Sequence, residues 1–184
     1  MTTNIKSFVL LCFGLVELAA NSAQAGQLDD YATYCRENGG VVQLMPAEIQ
    51  TAKGMEQGLT KAFCNYFGED FFAAVGLETL ATDKPNIAAT YIQNLLPIDP
   101  QSNLFKGKHP NPSHNVCANL GGTGIGFVAS GGFANPQGQS DICVFGDGSM
   151  VSGWTLIYIA NSRSGYDIIK SAINSKPLSI TIPR

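Results

Sequence analysis

Among the residue types of this 184-residue chain, cysteine is the one whose spacing most clearly indicates a chemical role. Cys12 lies in an N-terminal apolar run, and four further cysteines follow it: Cys35, Cys64, Cys117 and Cys143. An even number of cysteines in an exported chain is typical of disulfide bonds. No pair has the C-x-x-C spacing of a metal site, and both histidines lie on one short stretch. The sequence therefore predicts no metal centre.

His109 and His114 are the only histidines, and a Ser or Cys nucleophile activated in a triad would have to use one of them as its base. We expect His114 to face solvent on a short helix and His109 to lie in a linker. Cysteines held in disulfides cannot act as nucleophiles, and the chain has no G-x-S-x-G elbow around a serine. These observations argue against a histidine-based hydrolase.

Two glycine-containing stretches could bind phosphate or present a carboxylate. GGTGIG at 121–126 lacks the Gly-Lys-Ser/Thr of a P-loop and the spacing of a dinucleotide site. It is better read as a helix end followed by a strand, and we predict no cofactor. In GDGS at 146–149, Asp147 is expected to occupy a turn. Glu69-Asp70 occupies the matching turn earlier in the chain, and two such acidic turns together could bind a cation or a basic partner.

The N-terminal 25 residues have the order of a secretory signal peptide. Lys6 precedes the apolar run FVLLCFGLV, and Ala23-Gln24-Ala25 supplies a cleavage pattern. We therefore expect cleavage near Ala25 and export to the periplasm or the medium. No later stretch is long and apolar enough for a transmembrane span. The net charge is −3 and no basic run occurs, so nucleic acid is not an expected partner.

The sequence contains an internal repeat. The heptads YCRENGG at 34–40 and VCANLGG at 116–122 both read apolar residue, Cys, three residues, Gly-Gly. In each case a second Cys, an aromatic residue, a glycine and acid turn, an apolar run and a helix-like segment follow in order. We predict a first repeat at 26–100, a linker at 101–110 and a second repeat at 111–184.

Each repeat is predicted to be a helix, a three-stranded antiparallel sheet and a closing helix, which is an α+β fold. The predicted strands are 41–45, 60–67 and 71–81 in the first repeat, and 123–130, 140–145 and 150–160 in the second. We expect residues 47–58 to form a short extra helix in place of a hairpin loop. The stretch GGFANPQGQ at 131–139 is the predicted loop in the second repeat.

The opening helices have predictable ends. Asn111 and Asp29 are the expected N-caps, and Pro112 suits the first helical position. Glycine permits the left-handed conformation that ends a helix, so we expect the helices to stop at Gly39 and Gly121. The following glycines, Gly40 and Gly122, would let the chain turn back towards a strand.

Duplication favours one disulfide within each repeat. These would be Cys35–Cys64 and Cys117–Cys143, out of three possible connectivities. The closing helix of the second repeat is expected to bury Tyr166, Ile169 and Ile173. In the run from 150 to 160, residues on both faces of the predicted strand are apolar. Such a strand is covered on both sides or lies at an interface, so a homodimer is possible.

The second repeat resembles the small haemolysin-type domain of unknown function found in bacterial envelope and secreted proteins. The resemblance rests on NPSHNVCANLGG and SDICVFGDGSMVSGWTL and covers residues 111–160, whereas residues 29–81 match only by their Cys and Gly. The matching positions are Asn111, Pro112, Cys117, Gly121, Gly122, Cys143, Gly146, Asp147, Gly148 and Trp154. The family commonly has proline where this chain has Gly146. The resemblance implies an extracytoplasmic location and a disulfide-linked α+β unit, and it carries over no catalytic residue.

These patterns favour an exported binding module that contacts a protein or an envelope component. The alternative is a secreted enzyme or effector that acts on host or envelope material. A deep polar cleft between the repeats, lined by His109, His114 or the acidic turns, would favour the alternative.

Overall fold

The computed structural model describes residues 25–69, 71–129 and 139–183. The predicted signal peptide, Asp70 and most of the predicted loop at 131–139 lie outside these ranges. Within them, no helix is both long and apolar enough to cross a bilayer. The elements of the first copy are α1 (25–37), β1 (Val41–Thr51), β2 (Gly54–Phe67), β3 (Phe72–Gly76), α2 (Leu77–Ala81) and α3 (Ile87–Asn94). A 3₁₀ turn (Asn103–Phe105) precedes those of the second copy, which are α4 (Pro112–Asn119), β4 (Thr123–Val128), β5 (Gln139–Val144), β6 (Met150–Ser152), α5 (Gly153–Ala160) and α6 (Asp167–Ala172).

The strands of both copies close into one six-stranded barrel, in the order β1-β2-β3-β6-β5-β4. The mixed α and β composition is confirmed, but the prediction of a separate three-stranded sheet in each repeat is wrong. A three-stranded sheet has two open edges whose backbone groups need partners. Here each copy supplies half of the barrel and closes the edges of the other.

The two halves meet at equivalent positions. Val75 and Val151 pair with each other across the β3–β6 seam. They are equivalent because Val75 lies opposite Cys64 in the first copy and Val151 lies opposite Cys143 in the second. At the other seam, β1 and β4 pair antiparallel at two positions among the described residues. The copies are therefore related by an approximate two-fold axis.

Both opening helices end as the sequence predicts. Gly39 and Gly121 have φ values of +80° and +84°, which glycine adopts without strain. The Asn111 side chain accepts a hydrogen bond from the Ser113 N–H and caps α4. The prediction that Asp29 is an N-cap is wrong, because α1 already includes residue 25 and Asp29 lies exposed within it.

Both disulfides, Cys35–Cys64 and Cys117–Cys143, are confirmed. Each joins the opening helix of one copy to the middle strand of the same copy. The second glycine of each heptad, Gly40 or Gly122, leaves the space that the disulfide occupies. A Cβ at Gly40 or Gly122 would overlap the sulfur atoms of the adjacent bridge.

The predicted strands at 71–81 and 150–160 are only half right. In both copies the strand is short, and the chain turns into a helix, α2 or α5. Six of the eight residues of α5 are buried, so this helix is apolar on nearly all sides. A short run that is apolar on every side does not distinguish a covered strand from a buried helix.

Two equivalent threonines join the halves at these strand-to-helix turns. The backbone N–H of Met150 donates to Thr79 Oγ1 at 2.8 Å, and that of Ala74 donates to Thr155 Oγ1 at 3.3 Å. Val75 and Val151 form the only residue pair of the β3–β6 ladder in the described chain. The threonines thus extend a very short ladder on both sides.

Two cores hold the barrel and its helices together. One lies inside the barrel, where the Phe63 and Phe127 rings meet edge to face with centroids 5.1 Å apart. The other lies between the outer barrel surface and the helices and contains both disulfides. The predicted core face of α6 is confirmed, since Tyr166, Ile169 and Ile173 are all buried in this second core.

The predicted short helix at 47–58 is wrong. β1 and β2 continue past the barrel as a two-stranded ribbon and turn between Thr51 and Gly54. Gly54 has a φ of +118°, which the turn requires and which other residues rarely adopt.

Candidate interaction surface

The ribbon beyond the barrel, residues 49–59, is the most exposed apolar part of the described chain, and we call it the arm. Its apolar side chains are unusually open to solvent: Ile49 is 53% exposed, Met55 50% and Leu59 75%. Leu44, at the base of the arm, is 69% exposed. Isolated exposed apolar residues are normal, but a group on one projecting element indicates a contact surface.

A β-bulge marks the base of the arm. Pro46 pairs with Thr60 and Glu48 pairs with Gln57, so Gly58 and Leu59 together oppose the single residue between Pro46 and Glu48. Bulges increase the local twist and bend of a ribbon. The bulge thus lies where the ribbon leaves the barrel.

The apolar side chains of the arm lie on both faces of the ribbon. Ile49 pairs with Glu56, and the next pair is Gln50 with Met55. Neighbouring pairs of an antiparallel ribbon point to opposite faces. Leu44 shares the face of Gln50 and Met55, since it is an even number of residues from Gln50. A partner could therefore contact the arm from either side.

The arm and its base carry charges of both signs, and these side chains make few hydrogen bonds or ion pairs with described residues. Glu56 accepts a hydrogen bond from the Thr51 hydroxyl at 3.1 Å. At the base, Glu48 accepts one from Gln139 at 2.8 Å. Lys53 and Lys61 form no ion pair with any described residue. The arm thus combines apolar side chains with charges of both signs.

A cleft of about 490 Å³ lies between the two copies. Its charged lining residues are Lys61, Glu78 and Lys84 from the first copy and Asp147 from the second. The cleft is large enough for a small ligand, because such sites span roughly 300–1,000 Å³. Neither His109 nor His114 lines it.

Asp147 occupies the predicted turn and also caps a helix of the other copy. One carboxylate oxygen accepts from the Ile87 N–H at 2.7 Å, and the other accepts from the Ser149 hydroxyl at 2.6 Å and its N–H at 3.0 Å. Desolvation acts to raise the pKa of Asp147, but these hydrogen bonds outweigh it and the pKa is lowered. The Ser149 hydroxyl in turn accepts from the Ala88 N–H at 3.0 Å. Asp147 is therefore an ionised cap of α3.

The two histidines pack together beside α4. Their rings stack with centroids 4.6 Å apart, and His114 Nε2 lies 3.0 Å from the Asp141 carboxylate. The prediction that His114 faces solvent is wrong, since its side chain is only 18% exposed. Asp141 also accepts hydrogen bonds from Asn111 and Ser113, so the cluster attaches the start of α4 to β5.

The His114 ring of this cluster is closely packed. The His114 ring lies against Gly124, where even a Cβ would overlap it, so one edge of the imidazole is blocked by backbone. All four described cysteines are in disulfides. Among residues 25–69, 71–129 and 139–183, no three His, Cys, Asp or Glu side chains are close enough to hold a metal ion.

The other residues singled out by sequence have structural positions and do not converge on one site. Gly146 and Gly148 belong to the Asp147 turn, and Gly148 has a φ of +82°. Trp154 is half-buried on α5 and stacks on Tyr158 at 5.6 Å. The arm, in contrast, was not predicted as an exposed surface. Its apolar residues were the one available signal, and apolar residues in a sequence indicate a buried core equally well.

Comparison with known proteins gives no relative from which a function could be transferred. No protein-family model matches the chain, and no curated protein or solved structure matches it significantly. The resemblance of residues 111–160 to the haemolysin-type domain therefore stays a prediction. Inferences about function depend on the geometry of the chain itself.

Proposed function

We propose that the protein is an exported binding module and that the arm, with Leu44 at its base, contacts a partner protein or an envelope component. One observation carries this proposal: large apolar side chains that are half or more exposed are grouped on an element that projects from a closed barrel. Exposed apolar groups that a protein collects in one place mark interaction sites.

The scaffold suits such a role because it holds the arm in a defined position. Two disulfides and a closed barrel restrict the structure from which the arm extends. A preorganised element loses less conformational entropy on binding than a flexible loop does. The arm can therefore contribute more of its apolar contact area to affinity.

Two features support export. Disulfides form and persist in oxidising compartments, and both bridges here are buried within the fold. The N-terminal sequence independently predicts a signal peptide. Together they favour a partner located in the periplasm, in the envelope or outside the cell.

The alternative function, a secreted enzyme or effector, is favoured by one observation. The cleft between the copies is lined by the turn of Asp147, as that alternative expects. However, the Asp147 carboxylate is already engaged by three donors, and the histidines lie elsewhere. The arm therefore supports binding more strongly than the cleft supports catalysis.

The test is capture of partners by an arm variant. Ile49→Thr, Met55→Thr and Leu59→Thr are combined, because threonine keeps a high strand propensity while removing apolar surface. A matched control, Leu96→Thr with Ile180→Thr, removes exposed apolar side chains outside the arm. Each protein is purified with its disulfides formed and used to capture partners from envelope extract and host lysate.

We expect proteins captured by the wild type and by the control to be lost from the arm variant. Removing three central apolar contacts should weaken binding at least about tenfold, since a truncated contact residue at an interface often costs more than 1 kcal/mol. Capture of the same proteins by the arm variant, at equal yield, would contradict the proposal.

A further inference from the structure

Strand β2 has a long free edge. On one side it pairs with β1 from Gly54 to Asn65, but on the other it pairs with β3 only from Phe63 to Phe67. No described strand pairs with the outer edge of residues 54–62. Their outward N–H and C=O groups are a template for another strand.

The sequence of this edge is complementary to itself. An antiparallel pairing of two copies, centred between Gly58 and Leu59, places Glu56 of each copy opposite Lys61 of the other. It also places Met55 of each copy opposite Ala62 of the other. Opposite charges in directly facing positions stabilise an antiparallel pair, whereas like charges there destabilise it.

The faces of the ribbon permit this pairing. Glu56 pairs with Ile49 and Lys61 pairs with Met45 within one copy. Met45 and Ile49 are four residues apart along β1, so they point to the same face. Glu56 and Lys61 therefore share a face as well, which they could not do without the intervening bulge. The bulge thus brings the two charges into a self-complementary arrangement.

The charges are available for a second copy. Lys61 is exposed and forms no ion pair with any described residue. The Glu56 carboxylate is exposed, and among the described residues its one hydrogen bond comes from the Thr51 hydroxyl. Lysine and a bulge commonly protect an edge from unwanted pairing, and here each also fits pairing with an identical edge.

We propose that two copies of this chain associate by antiparallel pairing of residues 54–62 of β2, which joins their hairpins into a four-stranded ribbon. This goes beyond the proposed function, because the edge pairs through its backbone and leaves the side chains on both faces for a partner. The dimer would present two arms side by side. The interface is small, so we expect association to be weak and reversible.

The test is a charge exchange followed by sedimentation velocity. Three variants are compared with the wild type: Glu56→Lys, Lys61→Glu and the double exchange. Lys106→Glu, an exposed charge reversal away from the edge, is the control. Each is measured from about 1 µM to about 1 mM, a range that brackets the affinity expected of a small interface.

We expect the wild type, the control and the double exchange to dimerise. Each single variant creates two like-charge pairs, and its dissociation constant should rise about tenfold. An equimolar mixture of the two single variants should dimerise again, because every facing pair in the mixed dimer is then opposite in charge. Hydrogen exchange should show that those amides of 54–62 that point away from β1 become protected only in the dimer.

Two results would overturn the proposal. One is a wild type that stays monomeric at the highest concentration. The other is a pair of single variants that dimerise like the wild type, since the edge would then not be the interface. Neither result bears on the capture experiment, because that experiment changes apolar side chains and leaves Glu56 and Lys61 intact.

Discussion

Replacing Thr155 by valine tests the hydrogen bonds that join the two halves of the barrel. The substitution keeps the size and branching of the side chain but removes the acceptor of the Ala74 N–H. Both Thr155 and Ala74 are completely buried. The N–H would then lack a partner in a place that water does not reach, which costs about 1–3 kcal/mol.

The equivalent substitution at Thr79 should cost less, although its bond is shorter. Thr79 accepts from the Met150 N–H at 2.8 Å, against 3.3 Å at Thr155. Thr79 and Met150 line the cleft between the copies, so a water molecule can replace the lost hydroxyl. Burial therefore outweighs bond length, and we expect a loss of about 2 kcal/mol for Thr155→Val and less than about 1 kcal/mol for Thr79→Val.

Urea unfolding with intact disulfides, followed by the fluorescence of the single tryptophan, measures these losses. Midpoints can be compared directly when the denaturant slope is unchanged. Thr155→Ser is the control, because it keeps the acceptor and loses a buried methyl worth about 1 kcal/mol. Equal losses for the two valine variants, or a larger loss at Thr79, would refute the reasoning that burial decides the cost.

Two further predictions concern the glycine pair and the acidic turn. Gly122→Ala should prevent the Cys117–Cys143 disulfide, because the new methyl group overlaps Cys143 Sγ. The control Gly146→Ala places its new methyl group where no atom lies within 4 Å and should leave the disulfide intact. Free thiols are counted under denaturing conditions, and a Gly122→Ala protein with both disulfides formed would contradict the prediction. Asp147→Asn should destabilise the protein at neutral pH but not in acid. The folded pKa of Asp147 lies below its usual 3.8, so its contribution is complete above that value and is lost as the pH falls below it. Urea midpoints of the wild type and the variant should therefore converge in acid, and a constant difference would contradict the assignment.

Local signals made the helix ends and the bridges predictable. Asn111-Pro112 specifies a helix start, and Gly39 and Gly121 specify helix stops, without help from distant residues. The repeat pattern then indicated which cysteines pair. In each case a few neighbouring residues, or a comparison of two stretches of the same chain, contained the information.

The helix α5 was not predictable from its own residues. Its sequence, GWTLIYIA, contains β-branched and aromatic residues that favour strands, and it has no polar face to reveal a helical period. Burial between the barrel and other helices overrides these preferences. A signal did exist in the repeat, because Thr79-Leu80 and Thr155-Leu156 occupy equivalent places.

The closed barrel and the arm depend on distant partners. Nothing near Val75 or Val151 in the sequence shows that these residues pair with each other. Pro46 in β1 and Gly54 and Gly58 in β2 disfavour long strands, and the two strands are extended there because each lies beside the other. Exposure of Leu59 likewise follows from where the ribbon projects, and apolar character alone predicts burial.

The half-barrel built by each copy has a consequence for the history of the chain. A single ancestral unit would have exposed the edges of its first and last strands, and a second identical unit would have been the natural way to cover them. The ancestor would then have been a symmetric dimer, and tandem fusion would have turned an association that depends on concentration into a covalent one. Once joined, the two units no longer had to stay identical. Each unit could then have changed on its own, while the paired valines and threonines of the β3–β6 seam kept equivalent places.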